Sequence, residues 1–355
     1  MSSKKTKASG RSEWQELSPR DWDKKRLLQQ LERWGGKKVL VVGDVGVDRY
    51  TEGRVERISP EAPVPIVQVT SEKHKLGLAA NVADNVQAVG AIPILVGLVG
   101  GDPGAEVFRK LLREVGISDR NLVVDSDRRT ILKERVVSER QQLLRIDYED
   151  LRPMNPGTGK KILQEVEKAL PAAQVVVLED YAKGLLTPGI ARDLIEVCRS
   201  AKKPLYADPN PRTPLDFYRG VSLLTPNTKE AEALCGMKIL DEASLLKAGR
   251  HILEETEAET LIITRGKDGM AIFERDQNQV LSIPTYAREV YDVSGAGDTV
   301  IAVLAVAAAA GASLVDAVVL ANLAAGVEVG KRGTATVTPD EIRAAMGFFE
   351  ALTVR

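Results

Sequence analysis

The stretch of this chain with the most chemistry to offer is Tyr291-Asp292-Val293-Ser294-Gly295-Ala296-Gly297-Asp298-Thr299, which runs into an apolar segment at 300–310. A Gly-x-Gly turn at a helix entry lets successive backbone N–H groups converge, because glycine tolerates the dihedrals required and leaves no side chain in the way. The positive end of the helix dipole adds to the effect, so the turn is a cradle for an anion. An aspartate there has a clear use. Asp298 is placed to take a proton from a hydroxyl while the N–H groups of Gly295, Ala296, Gly297 and Asp298 hold a phosphoryl group in transfer. Taken alone, a Gly-x-Gly-Asp favours the plainer reading of an aspartate capping a buried helix, since short glycine patterns are common.

Two further patterns shift that balance. Thr225-Pro226-Asn227-Thr228-Lys229-Glu230 sets an Asn and a Glu three apart, just after a strand-like run and at the start of a helix. The spacing suits Asn227 for a nucleotide phosphate and Glu230 for a water on Mg2+, and it serves equally as an ordinary capping box. Near the first strand-like run, Gly43-Asp44-Val45-Gly46-Val47-Asp48 supplies two carboxylates, and Gly77-Leu78-Ala79-Ala80-Asn81 opens a helix. Carboxylates and an amide at strand ends suit a polyol, whose hydroxyls need several directional donors and acceptors. The segment 43–48 lacks GxGxxG spacing, which puts a dinucleotide oxidoreductase last among the readings.

Positioning these groups takes a sheet. Short apolar runs at 39–42, 94–99, 175–178, 205–207, 222–224 and 261–264 read as buried strands. Helix-like segments lie between them at 79–89, 105–115, 159–170, 188–200, 229–234 and 243–254. The alternation predicts an α/β fold, a mainly parallel sheet with helices on both faces and ligands beyond the carboxyl ends of its strands. Two segments break the pattern. Residues 50–69 surround the proline-rich Ser59-Pro60-Glu61-Ala62-Pro63-Val64-Pro65, and residues 130–146 read as two strands meeting at Ser138-Glu139-Arg140. Ile131, Lys133, Arg135 and Val137 share one face of the second segment by period two. Together the segments predict a small β-flap over one end of the sheet, or a mere edge extension.

Ahead of the first strand, residues 1 to about 12 read as disordered, and Ser18-Pro19-Arg20-Asp21 as the entry of a helix. That helix would carry Leu27, Leu28, Leu31 and Trp34 and stop at Gly35-Gly36. All three tryptophans fall in this extension, which predicts a helix docked on the main domain in preference to a partner-binding arm.

A length of 355 residues allows two domains or one large α/β domain, and 44% hydrophobic residues suffice for a substantial core. Lys and Arg (49) balance Asp and Glu (50), which removes any global pull toward nucleic acid or an anionic membrane. Cys198 and Cys235 lie far apart and outside any CxxC, against a disulfide framework or structural zinc. The longest apolar run is too short to span a bilayer and the first residues show no secretory h-region, so the expectation is a soluble, cytoplasmic protein.

These motifs carry a resemblance. From Val39 to about Ala345 the chain resembles the ribokinase-like, PfkB-type sugar kinases: DVSGAGDT matches their C-terminal signature and TPNTKE their Asn-x-x-Glu motif. GDVGVDRY, ERISPEAPVPIVQV, LAANVADNV, RQQLLRIDYE, DYAKG and VYDVSGAGDTVIAVLA look like one branch, the heptose kinase domain of ADP-heptose synthases. That branch phosphorylates D-glycero-D-manno-heptose 7-phosphate at C1 with ATP and Mg2+, toward the lipopolysaccharide inner core.

The resemblance implies a ribokinase-like domain at 37–346 with a β-lid at about 50–69 and 130–146, an extension at 1–36 and a tail at 347–355. It implies Asp298 as catalytic base and Gly295, Ala296 and Gly297 as anion hole. Asn227, Thr228, Lys229 and Glu230 become the ATP and Mg2+ segment, Glu230 acting through water. Thr264, Arg265 and Gly266 approach the phosphates, and Asn322 and Gly326 border the adenine. Asp48, Gly77 and Asn81 match the sugar-hydroxyl positions, and the lid closes over the sugar to exclude water. A homodimer is implied as well. The 7-phosphate calls for a cation, with Arg57, Lys133, Arg135 and Lys183 as candidates. Lys183 comes first, because Asp180-Tyr181-Ala182-Lys183-Gly184 follows a buried strand directly, and Asp180 is offered to a sugar hydroxyl.

Some residues depart from the branch. Its usual Gly-Gly-Ala-Ala-Asn has Leu78 for the second glycine, and Asp208-Pro209-Asn210-Pro211-Arg212 replaces Asp-Pro-Lys, closer to ribose- and fructose-type relatives and bringing in Arg212 as a cation. His74 and His251 form no His-x-Gly-His, so the expectation is a kinase without an adenylyl-transfer half. A kinase of another sugar or sugar phosphate and a non-catalytic sugar-phosphate sensor stay open as alternatives.

Overall fold

The computed structural model describes residues 13–139, 141–287, 290–331 and 333–353, so the expectation for residues 1 to about 12 lies outside the described residues. In chain order the elements are β1 (Trp14–Glu16), α1 (Lys24–Glu32), β2 (Lys38–Gly43), β3 (Val45–Ile58), β4 (Pro65–Leu78), α2 (Ala79–Ala88), β5 (Ile92–Val99), α3 (Pro103–Glu114) and β6 (Leu122–Val124). There follow β7 (Ile131–Ser138), β8 (Gln141–Tyr148), α4 (Pro156–Ala169), β9 (Val175–Glu179), α5 (Pro188–Ser200), β10 (Leu205–Asp208), β11 (Leu223–Leu224), α6 (Thr228–Cys235) and α7 (Glu242–Thr256). The last are β12 (Thr260–Thr264), β13 (Met270–Glu274), β14 (Val280–Ile283), α8 (Ala296–Ala309), α9 (Leu314–Glu328) and α10 (Pro339–Thr353).

The main sheet runs β1-β14-β13-β12-β11-β10-β9-β2-β5-β6. Its pairs are parallel except β12–β13 and β13–β14, which are antiparallel. Helices cover both faces, and the parity of the strand residues shows why. Val39 and Val41 of β2 enter one core with α2, α3, α8, α9 and α10, while Leu40 and Val42 enter a second with α4, α5, α6 and α7. Val175 and Val177 of β9 take the first side, Val176 and Leu178 the other. A strand buried on both faces has no polar side to show, so its sequence is a continuous apolar run. Each such Val or Leu contributes about 1.5–3 kcal/mol.

The alanine-rich segment is α8. Buried from Thr299 to Ala307, it lies against the sheet between α2 and α9. Its small side chains permit that close packing. No helix among the described residues is long and apolar enough to cross a membrane.

Four strands form a separate sheet in the order β4-β3-β7-β8, with β3–β7 parallel and the outer pairs antiparallel. β3 leaves the core at Val45 and Val47 for an exposed tip, and β4 returns from that tip to end in the core at Leu76 and Leu78. They are longer than the segment 50–69 read from sequence. Gly46 hid the strand: a Cβ there would lie 2.7 Å from the Ile131 carbonyl, so the residue that lets β7 close in is one of low strand propensity.

The extension also departs from its expected form. Pro19–Asp21 is a single 3-10 turn, and α1 begins only at Lys24, with Asp23 accepting the Arg26 N–H at 3.0 Å. Leu27, Leu31 and Trp34 join the first core, and Trp22 meets Tyr286 edge-on at 4.8 Å.

Candidate active site

A cavity of about 670 Å³ opens beyond the carboxyl ends of the central strands, beneath the four-stranded flap. Its floor is the start of α8. Gly295 is the N-cap at φ +95, where a Cβ would be strained and would crowd the Asn81 amide, Thr334 and Glu328. The first N–H groups of a helix have no acceptor within it. Here Ala296, Gly297 and Asp298 line the cavity, the Ala296 N–H meeting the Val293 carbonyl at 3.4 Å.

Asp298 is gripped from two elements. Asn81 Nδ2 donates to its Oδ2 at 2.5 Å and Tyr181 Oη to its Oδ1 at 2.9 Å. Asn85 donates to the Asn81 carbonyl at 2.9 Å and accepts from Thr299 Oγ1 at 3.0 Å, which locks α2 to α8. Desolvation pushes the Asp298 carboxyl up to about 6, with the charge of Asp48 adding to it and the two hydrogen bonds and Lys133 opposing it. Such a group is ionised at neutral pH yet basic enough to take a hydroxyl proton in a transition state.

Beside it lie two more carboxylates. Glu179 ends β9 and Asp208 ends β10, and one oxygen from each, with one from Asp298, fall within 4.8 Å of one another. Glu179 Oε1 is buried without a hydrogen-bond partner among the described residues, and Asp208 accepts from Thr225 Oγ1 at 3.0 Å. A Cβ on Gly297 would sit 3.7 Å from Asp208 Oδ2. Burial and mutual repulsion raise Glu179 and Asp208 well above the ordinary carboxylate range. Hard oxygen donors held this close suit a divalent cation. Sequence reasoning missed both. The available signal was an acid closing an apolar run, as in Val-Val-Val-Leu-Glu and Leu-Tyr-Ala-Asp.

Asn227 and Glu230 form the capping box that their spacing allows, and they do so at the cavity. Asn227 Oδ1 accepts the Glu230 N–H at 3.0 Å, Glu230 Oε2 accepts the Asn227 N–H at 2.8 Å, and both residues line the cavity. Burial raises the Glu230 carboxyl despite those bonds. Thr228, Lys229, Thr264, Arg265 and Gly266 line the same half, with Thr228 Oγ1 donating to the Thr264 carbonyl at 3.3 Å.

The other half is lined by Asp48, Leu78, Asn81, Lys133, Arg135 and Tyr181. Arg135 Nη1 pairs with Asp48 Oδ1 at 2.6 Å, its guanidinium over the Tyr50 ring at 5.4 Å. The Lys133 ammonium stands 5.4 Å from the centre of the Tyr181 ring, and no carboxylate of the described residues lies within ion-pair distance. Burial pulls its pKa down against nearby acids. Gly77 makes room for Asp48, whose Oδ2 would lie 3.0 Å from a Cβ there. Leu78 sits at φ +59 and ψ −139, a strained backbone for leucine that costs about 1–3 kcal/mol.

Other residues read from sequence do not line this cavity. Lys183, the first choice for a phosphate, pairs with Glu149 at 2.7 Å, and its N–H goes to Asp44. Asp180 is buried and spent on Thr213, Tyr218 Oη and the Ala182 N–H. Past the end of β9 the chain sends Tyr181 to Asp298 and Asp180 to Thr213 and Tyr218 instead. Asp44, raised to about 6 by burial, holds the same turn through the Lys183 and Leu185 N–H groups. Arg57 is exposed, nine residues along β3 from Asp48, roughly 30 Å at the usual strand rise. Asn322 is buried and donates to the Pro284 carbonyl at 2.7 Å. A Cβ on Gly326 would lie 2.9 Å from Tyr286 backbone. Both residues therefore hold the segment 284–287 against α9. Arg212 is exposed, outside the cavity.

The sequence pattern of the pfkB family carbohydrate kinases matches residues 36–341. The chain is 45% identical over 311 residues to the bifunctional protein HldE of Geobacter metallireducens, covering 87% of this chain and 63% of that protein. It is 46% identical over 318 residues to the bifunctional protein HldE of Pseudomonas syringae pv. syringae, covering 89% and 65%. The chain thus spans a little under two thirds of these curated relatives. Among solved structures, Arabidopsis thaliana ribokinase complexed with ribose and ATP matches with a TM-score of 0.71 at 18% identity, over 88% of this chain and 99% of that one. Escherichia coli phosphofructokinase-2 in complex with potassium matches with 0.73 at 18% identity, over 89% and 99%. At these identities the likeness is one of fold, the ribokinase-like one.

Proposed function

The chain belongs to the pfkB family of carbohydrate kinases, and on that footing we propose that it transfers the γ-phosphoryl group of ATP to the C1 hydroxyl of D-glycero-D-manno-heptose 7-phosphate. The observation that carries the chemistry is the Asp298 carboxylate, held by Asn81 and Tyr181 at the mouth of the Gly295 turn. The choice of a heptose phosphate rests on the branch motifs in the sequence.

In this reading the acceptor lies under the flap with its hydroxyls on Asp48 and Asn81. Asp298 takes the proton of the C1 hydroxyl as its oxygen attacks the γ-phosphorus, and ADP leaves from the opposite side. The N–H groups of Gly295 to Asp298 hold the equatorial oxygens, and positioning supplies much of the acceleration. Lys133, in the acceptor half without an ion-pair partner, is the cation for the acceptor phosphate, replacing Lys183 in that role. Arg135, committed to Asp48, orients it. Asn227, Thr228, Lys229, Thr264, Arg265 and Gly266 receive the nucleotide. Mg2+ would neutralise charge on the transferring phosphates, held by Glu179 and Asp208 with Glu230 acting through water. The four-stranded flap serves as the lid of a kinase domain at 37–346, and the active species is a homodimer.

A kinase of a different sugar or sugar phosphate is the second reading, favoured by Leu78 and Asn210. Acceptor-dependent ADP release across heptose 7-phosphate, ribose, fructose and fructose phosphates decides between them, with phosphorus NMR of the product. A new anomeric phosphate on the heptose supports the proposal. Turnover of ribose or fructose with none of heptose 7-phosphate replaces it by the second reading.

A further inference from the structure

Leu78 is the last residue of β4 and the N-cap of α2, where φ +59 and ψ −139 are comfortable for glycine and strained for leucine. Its side chain is not turned out to solvent to relieve anything. Leu78 is 6% exposed and lines the acceptor half of the cavity. Of the residues lining the cavity, Asp48, Asn81, Lys133, Arg135 and Tyr181 carry polar groups, and of its two branched aliphatic side chains Leu78 is buried while Val293 is 68% exposed. It also follows Gly77, which packs on Asp48, and precedes by three residues Asn81, which holds Asp298. A strained non-glycine residue facing a binding cavity is a common mark of a functional constraint.

A sugar offers two kinds of surface, hydroxyl edges and an apolar C–H face, and a site that reads configuration needs contacts to both. We propose that Leu78 is a specificity-determining residue: its isobutyl group is the wall on which the C–H face of the acceptor rests, and it fixes which hydroxyls reach Asp48 and Asn81. The inference rests on the reading of this cavity as a sugar-kinase site and deepens it. Space-filling between β4 and α2 is the competing role. It would cost stability on truncation without altering acceptor choice.

The test compares the full-length protein with Leu78→Gly, Leu78→Ala and Leu78→Met. It measures kcat/KM for the preferred acceptor and for sugars or sugar phosphates differing from it at one ring carbon, with the Tm of each variant. In the glycine and alanine variants the preference should fall about tenfold or more, with the KM for ATP little changed. The methionine variant, which keeps the wall, should hold the ranking even where a truncated variant folds poorly. Glycine should melt above alanine, because only glycine relieves the backbone. An unchanged ranking in the glycine and alanine variants overturns the proposal, as does a methionine variant that loses the ranking. If the wild type ignores heptose 7-phosphate but uses another sugar, the heptose assignment fails while the Leu78 comparison is read on that sugar. If it uses no acceptor at all, both fail.

Discussion

Tyr181 Oη donates to Asp298 Oδ1 at 2.9 Å across 117 residues of sequence, joining the turn after β9 to the first turn of α8. Burial lifts the phenol's pKa well above its ordinary value, so it donates throughout the working pH range. The bond opposes the desolvation that pushes Asp298 up to about 6.

Removing that donor with Tyr181→Phe should move the acid limb of kcat/KM to higher pH. A hydrogen bond to a charged group is worth about 1.5–3 kcal/mol, which corresponds to roughly one to two pH units. The direction follows from what the bond favours, the ionised base. A pH–rate profile of the variant checks it, and an unmoved limb would show that Tyr181 does not set the base.

Lys133 and Lys183 should part company. Lys133→Met should raise the KM of a phosphorylated acceptor by roughly 10–100-fold and that of its unphosphorylated analogue far less. Lys183 is paired with Glu149 at side-chain exposures of 10% and 14%. Lys183→Met strands a buried carboxylate and should cost up to about 3–5 kcal/mol of stability, with acceptor KM unchanged. Steady-state kinetics and urea unfolding of the two variants separate the roles.

The acidic group of Glu179, Asp208 and Glu230 should govern the requirement for Mg2+. Asp208→Asn should raise the Mg2+ concentration for half-maximal rate by about tenfold or more, leaving acceptor KM nearly intact. Chelation should stop the wild type, and added Mg2+ should restore it. A variant with an unaltered Mg2+ titration would place the metal elsewhere.

Glu328 gives a stability signature. It is fully buried behind Gly295, and desolvation pushes its carboxyl up to about 8, against the N–H of Ala335. The folded state therefore binds more protons than the unfolded chain between the ordinary value of 4.5 and about 8. Its contribution is full below that interval and is lost as pH rises through it, at up to about 1.4 kcal/mol per pH unit. Urea unfolding from pH 5 to 9 should show that decline in the wild type and a flatter profile in Glu328→Gln.

The sheet was legible because its central strands are buried on both faces, so Val39–Val42 and their counterparts stand out as unbroken apolar runs. Asp298 was legible because the turn beneath it needs glycine. The acceptor half was harder. Ala182 takes φ +51 without being a glycine, so nothing in the composition showed that the turn would carry Tyr181 into the cavity and Lys183 out of it. Glu179 and Asp208 matter through a meeting of three strand and helix ends that no local spacing encodes. Asn322 and Gly326 do not line the cavity and pack on the segment 284–287, where tight backbone packing asks for the same small or polar residues that a ligand would.

Acceptor-dependent ADP release by Asp298→Asn, beside ATP affinity measured on the same protein, is the most direct test of phosphoryl transfer to a sugar hydroxyl in this cavity. The expected result is a fall in kcat of roughly 10²–10⁴-fold with ATP binding nearly unchanged. Near-full turnover in the variant would contradict it, because some other group would then be taking the proton.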